Sequence, residues 1–227
     1  MPRAHEPMQS PTSAYWKEWH LLCDIAHRRE SAKSMFGLEW LFAMMLCLLL
    51  LLMPAMFIRE VSGRFGYLHR KIAVESWAVL KPIGLAVLLH YGVDAAIAPW
   101  IAILSLVDLF SYLLGLLFLA RFYTRPASAR RSLILVGVNF IELVLGFTIF
   151  YAHYGLVVTS NGSLERAPGA LVFFSLVTAA TVGYGDMVPV AGLGRAVVSV
   201  QIFASLVFLS VFISQAVGRV GGSDGGV

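Results

Sequence analysis

The sequence predicts an all-α integral membrane protein that crosses the bilayer several times. Hydrophobic residues make up 59% of the chain and charged residues only 13%, a balance typical of membrane proteins. Long apolar runs alternate with clusters of charge at 17–33, 59–71 and 121–131. Because lipid offers no hydrogen bonds to a bare backbone, such runs are expected to be helices. We therefore expect a multi-pass protein of the cell membrane, in contact with lipids and not with nucleic acid.

Residues 1–37 are predicted to form an N-terminal segment with one amphipathic interfacial helix. Apolar and charged residues occupy opposite faces at helical spacing, as in helices that lie on a membrane surface. The two faces carry Tyr15, Trp19, Leu22 and Ala26 against Lys17, Asp24 and Arg28. A metal site at His20, Cys23, Asp24 and His27 is weighed and not adopted. Zinc sites usually draw ligands from two elements, so no cofactor is expected.

Residues 38–121 are predicted to supply about three peripheral transmembrane helices. The predicted spans are Glu39–Ile58, Trp77–Ala96 and Trp100–Ala120. Pro54 lies near the end of the first span and is expected to kink it. The second is the weakest, since Lys81 and Pro82 interrupt it. The charged residues at 59–71 and 121–131 are expected to form loops between spans.

The sidedness of the N-terminal segment stays open between two alternatives. A basic loop at 121–131 on the cytoplasmic side agrees with the positive-inside tendency. Counting back through five spans then places the basic N-terminal segment outside, which that tendency disfavours. If residues 77–96 do not cross, four spans place this segment inside and misplace the loop at 59–71. Five spans are the preferred interpretation.

Residues 132–219 are predicted to form a unit of a different design, followed by a flexible tail at 220–227. Two apolar helices, Ser132–Tyr154 and Leu193–Val217, flank a short one at Pro168–Ala180. Proline at a helix start is favourable, which supports a helix that begins at Pro168. This short helix cannot cross a bilayer, but it suits a re-entrant segment buried in protein.

The nine residues from Thr178 to Asp186 read T-A-A-T-V-G-Y-G-D and follow this short helix. Consecutive carbonyls can face one axis only if alternate residues adopt left-handed dihedrals, which glycine does at little cost. Gly183 and Gly185 therefore alternate with Val182 and Tyr184, whose side chains are expected to pack behind the loop. Asp186 would attract cations at the outer mouth.

Residues 132–219 resemble the two-helix pore module of tetrameric potassium channels: outer helix, pore helix, filter and inner helix. The run Met187-Val188-Pro189 and the pair Gly194-Arg195 resemble the turn that follows the filter in simple bacterial members. The resemblance implies passive K⁺ conduction by a homotetramer, with no enzymatic step. It implies that K⁺ binds at Thr181, Val182, Gly183 and Tyr184, with Gly185 completing the filter.

Three positions of the inner helix extend this resemblance, and two further positions depart from the family pattern. The candidates for lining the cavity below the filter are Ile202, Leu206 and Leu209, which recur at helical spacing. Ser205 occupies the place where many relatives have a hinge glycine. Val177 stands where some relatives place a carboxylate behind the filter, so Asp186 needs another partner or remains solvated.

Two alternative functions remain: a non-conducting or regulatory subunit, and the ion-conducting component of a K⁺ transport system. Relatives of the second kind carry four degenerate loops in one long chain, unlike the single complete loop here. An enzyme is disfavoured, since no catalytic pair occurs at useful spacing. The arginines at 121–131 are irregularly spaced, so we expect no clear voltage gating. Few residues follow the inner helix, and no soluble ligand-binding domain is expected there.

Three polar residues are predicted to lie at depth within the spans: Asp108, Asn139 and Glu142. An ionisable residue in the membrane is a candidate for function, including gating or pH sensing. The alternative is a hydrogen bond that fixes one helix against another, or a protonated carboxyl group. The sequence leaves these alternatives open.

Overall fold

The computed structural model describes residues 19–20, 22–23, 25, 37–118 and 129–220. The helices are α1 (Leu38–Leu52), α2 (Pro54–Gly63), α3 (Tyr67–Tyr91), α4 (Ala98–Phe118), α5 (Ala129–Tyr154), α6 (Pro168–Ala179) and α7 (Leu193–Val220). Two short strands, β1 (Val157–Thr159) and β2 (Met187–Pro189), flank α6. Residues 119–128, residues 221–227 and most of the N-terminal segment lie outside the described residues. Of the predicted tail at 220–227, only Val220 is described, and it is the last residue of α7. Residues 129–131 of the predicted loop at 121–131 belong to α5.

The first of two compact units comprises Met1–Trp77 and contains α1 and α2. These helices meet at a bend of 62°, so the segment predicted as one span over Glu39–Ile58 is broken at the predicted kink. Together the two helices are apolar and long enough for either a broken span or a re-entrant loop. Pro54 causes the break, because its ring disfavours a helical conformation at the residue before it. Met53 accordingly has an extended backbone, with φ −76° and ψ 142°. At the described N-terminal positions, the Trp40 indole donates a hydrogen bond of 2.7 Å to the Ile25 carbonyl.

The charged cluster at 59–71 is mostly helical, which corrects the prediction of a loop. Arg59 lies in α2, and Arg70 and Lys71 lie in the first turns of α3. The turn between them spans only residues 64–66 and uses Gly66 at φ 116°. Short turns with a left-handed glycine let one helix end and the next begin within a few residues.

The second unit comprises Ala78–Val227 and contains most of α3 and all of α4 to α7. Four helices are long and apolar enough to cross a membrane: Leu68–Tyr91, Ala98–Gly115, Ile134–Tyr154 and Leu193–Ile213. The span predicted at Trp77–Ala96 therefore starts earlier and ends at Tyr91. Lys81 and Pro82 lie within it. The prediction of an all-α integral membrane protein is confirmed.

The core of the second unit forms where α5 packs against α4, α6 and α7. Leu143, Phe147 and Tyr151 of α5 are buried there with Leu171 of α6 and Phe208 of α7. Gly146 permits the close approach of α4, since a Cβ at this position would lie 2.8 Å from Cδ2 of Leu106. The outer helix thus supports both the short helix and the long one that follows it.

The stretch between α5 and α6 contains the strand β1. β1 pairs antiparallel with β2, with Val157 opposite Pro189 and Thr159 opposite Met187. The Val190 amide donates to the Leu156 carbonyl at 2.8 Å. These hydrogen bonds connect residues 187–190 to the chain that follows the end of α5.

Candidate functional site: the loop between the short helix and the long helix

The short helix α6 starts at Pro168, as predicted, and has 12 residues. At about 1.5 Å per residue it reaches roughly 18 Å, well short of a bilayer core of about 30 Å. Leu171, Phe174 and Ser175 are buried on the side that packs within the unit. The helix is therefore held by protein as a re-entrant segment would be.

Every second residue of the following loop has a left-handed backbone. The φ values are 57° at Thr181, 58° at Gly183 and 81° at Gly185. The two glycines confirm the predicted need for left-handed dihedrals, while Thr181 adds a third that residue type did not reveal. A threonine in this region costs about 1 kcal/mol or more, so the surroundings must hold it. The Val182 amide helps, because it donates to the Val177 carbonyl at 2.9 Å.

The two glycines of the loop are needed for their backbone dihedrals, because a side chain at either position would have free space within this chain. A Cβ built at Gly183 or Gly185 would meet no atom within 4 Å. Any penalty for a larger residue here therefore arises from the positive φ and from whatever a neighbouring copy places there.

The side chains of Val182 and Tyr184, which were expected to pack behind the loop, are more than half exposed to solvent in a single chain. Val182 is 53% exposed and Tyr184 is 69% exposed. Tyr184 stacks on Phe173 of α6, with ring centroids 6.0 Å apart and planes 6° apart. Packing behind the loop is thus only partial in a single chain.

Asp186 follows the last glycine of the loop. Its carbonyl accepts a hydrogen bond of 2.9 Å from the amide of Ser160, and its side chain is exposed. The mouth of the loop is thereby attached through its backbone to the β1 region, while the carboxylate is left solvent-accessible.

A buried polar network behind the loop joins three helices, and sequence reasoning did not identify it. Gln201 of α7 is fully buried and donates to the carbonyl and hydroxyl oxygens of Ser175, at 2.8 and 2.9 Å. Ser175 in turn donates to the Val144 carbonyl at 2.8 Å. The Tyr151 hydroxyl donates to Oε1 of Gln201. In the sequence, a glutamine in the middle of a long apolar helix is the signal that such a polar group needs a hydrogen-bond partner.

The predicted deep polar residues Asp108 and Glu142 come together around Lys81. The ammonium nitrogen of Lys81 lies 2.9 Å from Oδ2 of Asp108 and 2.9 Å from Oε1 of Glu142. Ser105 also donates to Oε1 of Glu142, at 2.6 Å. Asn139 is buried one turn before Glu142. In the sequence, Lys81 counts only as an interruption of its span, although charges that lie at depth in three successive spans favour pairing.

The three cavity-lining candidates share one face of α7. Ile202, Leu206 and Leu209 are between 39% and 50% exposed in one chain. Ser205, at the expected hinge position, lies on the buried side, and α7 continues as a helix through it. Within the described residues, no group of three or more His, Cys, Asp or Glu side chains could hold a metal. Asp24 and His27 lie outside those residues.

Residues 138–220 match a family described as ion channel. The molecule is thus a multi-pass integral membrane protein in which the segment from α5 to α7 is similar to ion channels. The chain is 31% identical over 138 residues to the voltage-gated potassium channel Kch of Escherichia coli (strain K12). The family description names ion channels in general, and the word potassium comes from the name of this relative. The alignment covers 60% of the chain and 30% of Kch, so the chain spans less than two thirds of this relative. No solved structure matches the chain significantly.

Proposed function

We propose that this chain is a subunit of a K⁺-selective channel, in which four identical copies surround one pore. The observation that carries the proposal is the left-handed backbone at every second residue of the loop, Thr181, Gly183 and Gly185. Residues of positive φ that alternate with residues of negative φ can turn successive carbonyls towards the same side. Such a row of oxygens can replace the water around a dehydrated K⁺ ion.

The ion-binding residues of this proposal are Thr181, Val182, Gly183 and Tyr184, with Gly185 completing the filter. One chain supplies one row of carbonyls, whereas enclosing an ion requires several rows around an axis. Four-fold cyclic symmetry meets this need with identical contacts between neighbours. Ions would then pass in single file, each displacing the next, without any chemical step.

The exposed apolar surface of one chain supports assembly with further copies. Apolar side chains on α6, the loop and α7 are at least 39% exposed: Leu176, Val182, Tyr184, Ile202, Phe203, Leu206 and Leu209. Part of this surface would face lipid in any assembly. Lipid cannot satisfy the polar backbone of the loop, so the loop itself requires protein or water around it.

Voltage is not the proposed stimulus. The helix before the outer pore helix, α4, contains no lysine or arginine, and its single charged residue is Asp108. A charge-carrying voltage sensor needs several basic residues within the field. Weak or absent voltage dependence is therefore expected over the range from −100 to +100 mV, which corresponds to about 2.3 kcal/mol per charge on each side.

Flux from purified protein in liposomes tests the proposal. K⁺ efflux should dissipate a K⁺ gradient, while an equal Na⁺ gradient should persist. Equal permeation by both ions would contradict selectivity, and no flux from folded protein would favour the non-conducting alternative. The mass of the protein in nanodiscs should correspond to four chains, and a stable monomer or dimer would contradict the assembly.

A further inference from the structure

Three ionisable side chains meet inside the second unit, one from each of three neighbouring spans. Lys81 comes from α3, Asp108 from α4 and Glu142 from α5. Their side chains are 10%, 7% and 0% exposed. A charge at membrane depth is costly unless it is paired and hydrogen-bonded. The charges in this cluster therefore have to balance.

The fully ionised cluster would not be neutral. Two carboxylates share one ammonium group, which leaves one surplus negative charge in a site shielded from water. The other elements that pack against α5 do not compensate for it. α6 has no titratable side chain, and Arg195, the charged residue of α7 whose side chain is described, is exposed. His153, three turns further along α5, is bonded at Nδ1 to the Val93 carbonyl at 2.6 Å.

The two carboxylate oxygens of Glu142 have unequal surroundings. Oε1 accepts hydrogen bonds from Lys81 and from the Ser105 hydroxyl. Oε2 is buried and has no hydrogen-bond partner among the residues that the structure describes. An ionised carboxylate would spread its charge over both oxygens and leave one unsolvated, which is more costly than an unpaired neutral hydroxyl.

We propose that the cluster of Lys81, Asp108 and Glu142 is a proton-binding site and that Oε2 of Glu142 holds the proton. The proton comes from water and forms one O–H bond, which converts the Glu142 carboxylate into a neutral acid. Lys81 and Asp108 then balance each other as a single ion pair. Loss of the proton to water restores the surplus negative charge.

Glu142 is the better candidate of the two acids. Its side chain is 0% exposed, against 7% for Asp108, and only Glu142 has a carboxylate oxygen without a partner among the described residues. Because Oε1 already accepts two hydrogen bonds, a proton on that oxygen would meet two donors. The proton is therefore bound to Oε2. Since the cluster spans α3, α4 and α5, its charge state bears on how firmly the two peripheral helices hold the outer helix of the channel domain.

Infrared spectroscopy of the full-length protein in lipid tests the site directly. Near neutral pH, exposed carboxyl groups are ionised, so a buried acid appears as a carboxylic C=O band that shifts in D₂O. The band should be present in the wild type and lost in Glu142→Gln. It should persist in Glu165→Gln, a matched change outside the spans. Asp108→Asn should also weaken the band, because Lys81 and an ionised Glu142 then balance each other as the remaining ion pair. Absence of the band from the wild type, or its persistence in Glu142→Gln, would overturn the proposal.

Thermal unfolding supplies a second readout that does not depend on channel activity. Because the folded form requires the proton and the unfolded carboxyl releases it, the wild type should lose stability as the pH rises. Glu142→Gln mimics the neutral acid and should lose much of this pH dependence. A Glu142→Gln protein that does not fold, or a melting temperature set by Na⁺ or K⁺ and not by pH, would contradict a proton at this position.

Discussion

Gln201 of the inner helix donates two hydrogen bonds to Ser175 of the short pore helix, one to its carbonyl and one to its hydroxyl. The distances are 2.8 and 2.9 Å, and both side chains are fully buried. Ser175 lies only six residues before Thr181, where the left-handed alternation begins. The inner helix is thereby joined to the helix that supports the loop.

Replacing Gln201 by leucine should destabilise the second unit by about 1–3 kcal/mol, because buried oxygens and a hydroxyl lose their partner. Thermal unfolding in detergent or nanodiscs measures this loss. The matched control is Ser199→Ala on the same helix, where the exposed hydroxyl bonds only to the Arg195 carbonyl among the described residues. An equal, small effect of both changes would mean that the network contributes little.

Gly183→Ala should distort the loop, because an alanine at φ 58° costs about 1–2 kcal/mol per chain. Under the proposed function, K⁺ flux and the stabilisation of the protein by added K⁺ should both fall. Gly169→Ala is the control, since a Cβ there has free space and ordinary dihedrals. K⁺-dependent stability that is unchanged in Gly183→Ala would speak against ion binding at this loop.

Removing the charge of Lys81 should destabilise the protein by about 3–5 kcal/mol, because Asp108 and Glu142 would be left without their common partner. Lys81→Met tests this by thermal unfolding. Adding Asp108→Asn should recover part of the loss, since Glu142 is neutral under the proton-binding proposal and the variant then has no buried unpaired charge. If the double variant is less stable than Lys81→Met, the ion pair is not the source of the effect.

Gly146→Ala should cost about 1–3 kcal/mol through overpacking, because its Cβ would lie 2.8 Å from Cδ2 of Leu106. Gly137→Ala on the same helix meets nothing within 4 Å and should be neutral or slightly stabilising. The double variant Gly146→Ala with Leu106→Ala should show a favourable coupling in a double-mutant cycle. Additive effects would mean that α4 and α5 do not touch at this point.

The elements of the channel domain could be located in the sequence almost to the residue. Pro168 begins the short helix, and the two glycines of the loop adopt the positive φ values that their positions require. Both signals are local: a proline ring fixes one dihedral, and only glycine enters the left-handed region at little cost. The break at Pro54 follows from the same chemistry, which indicates a kink there but not its size of 62°.

Local sequence signals could not identify the hydrogen-bond and ion-pair partners of the buried polar groups. Asp108 and Glu142 were singled out, but their common partner Lys81 is 27 residues from Asp108 along the chain. Gln201 and Ser175 are 26 residues apart, and each is an unremarkable polar residue in its own helix. The pairing of β1 with β2 was equally out of reach of the sequence, since a strand of three residues is too short to show an alternating pattern.

The sequence by itself determined that this is a multi-pass helical membrane protein with a glycine-alternating loop after a short helix. These features depend on apolar run length and on the allowed dihedrals of single residues. Only the tertiary structure decided which helices are in contact. It also decided that Lys81 pairs with two carboxylates and that Gln201 donates hydrogen bonds to Ser175. Such contacts join residues that are distant along the chain, and they form only when several helices pack at once in a medium that cannot solvate an unpaired polar group.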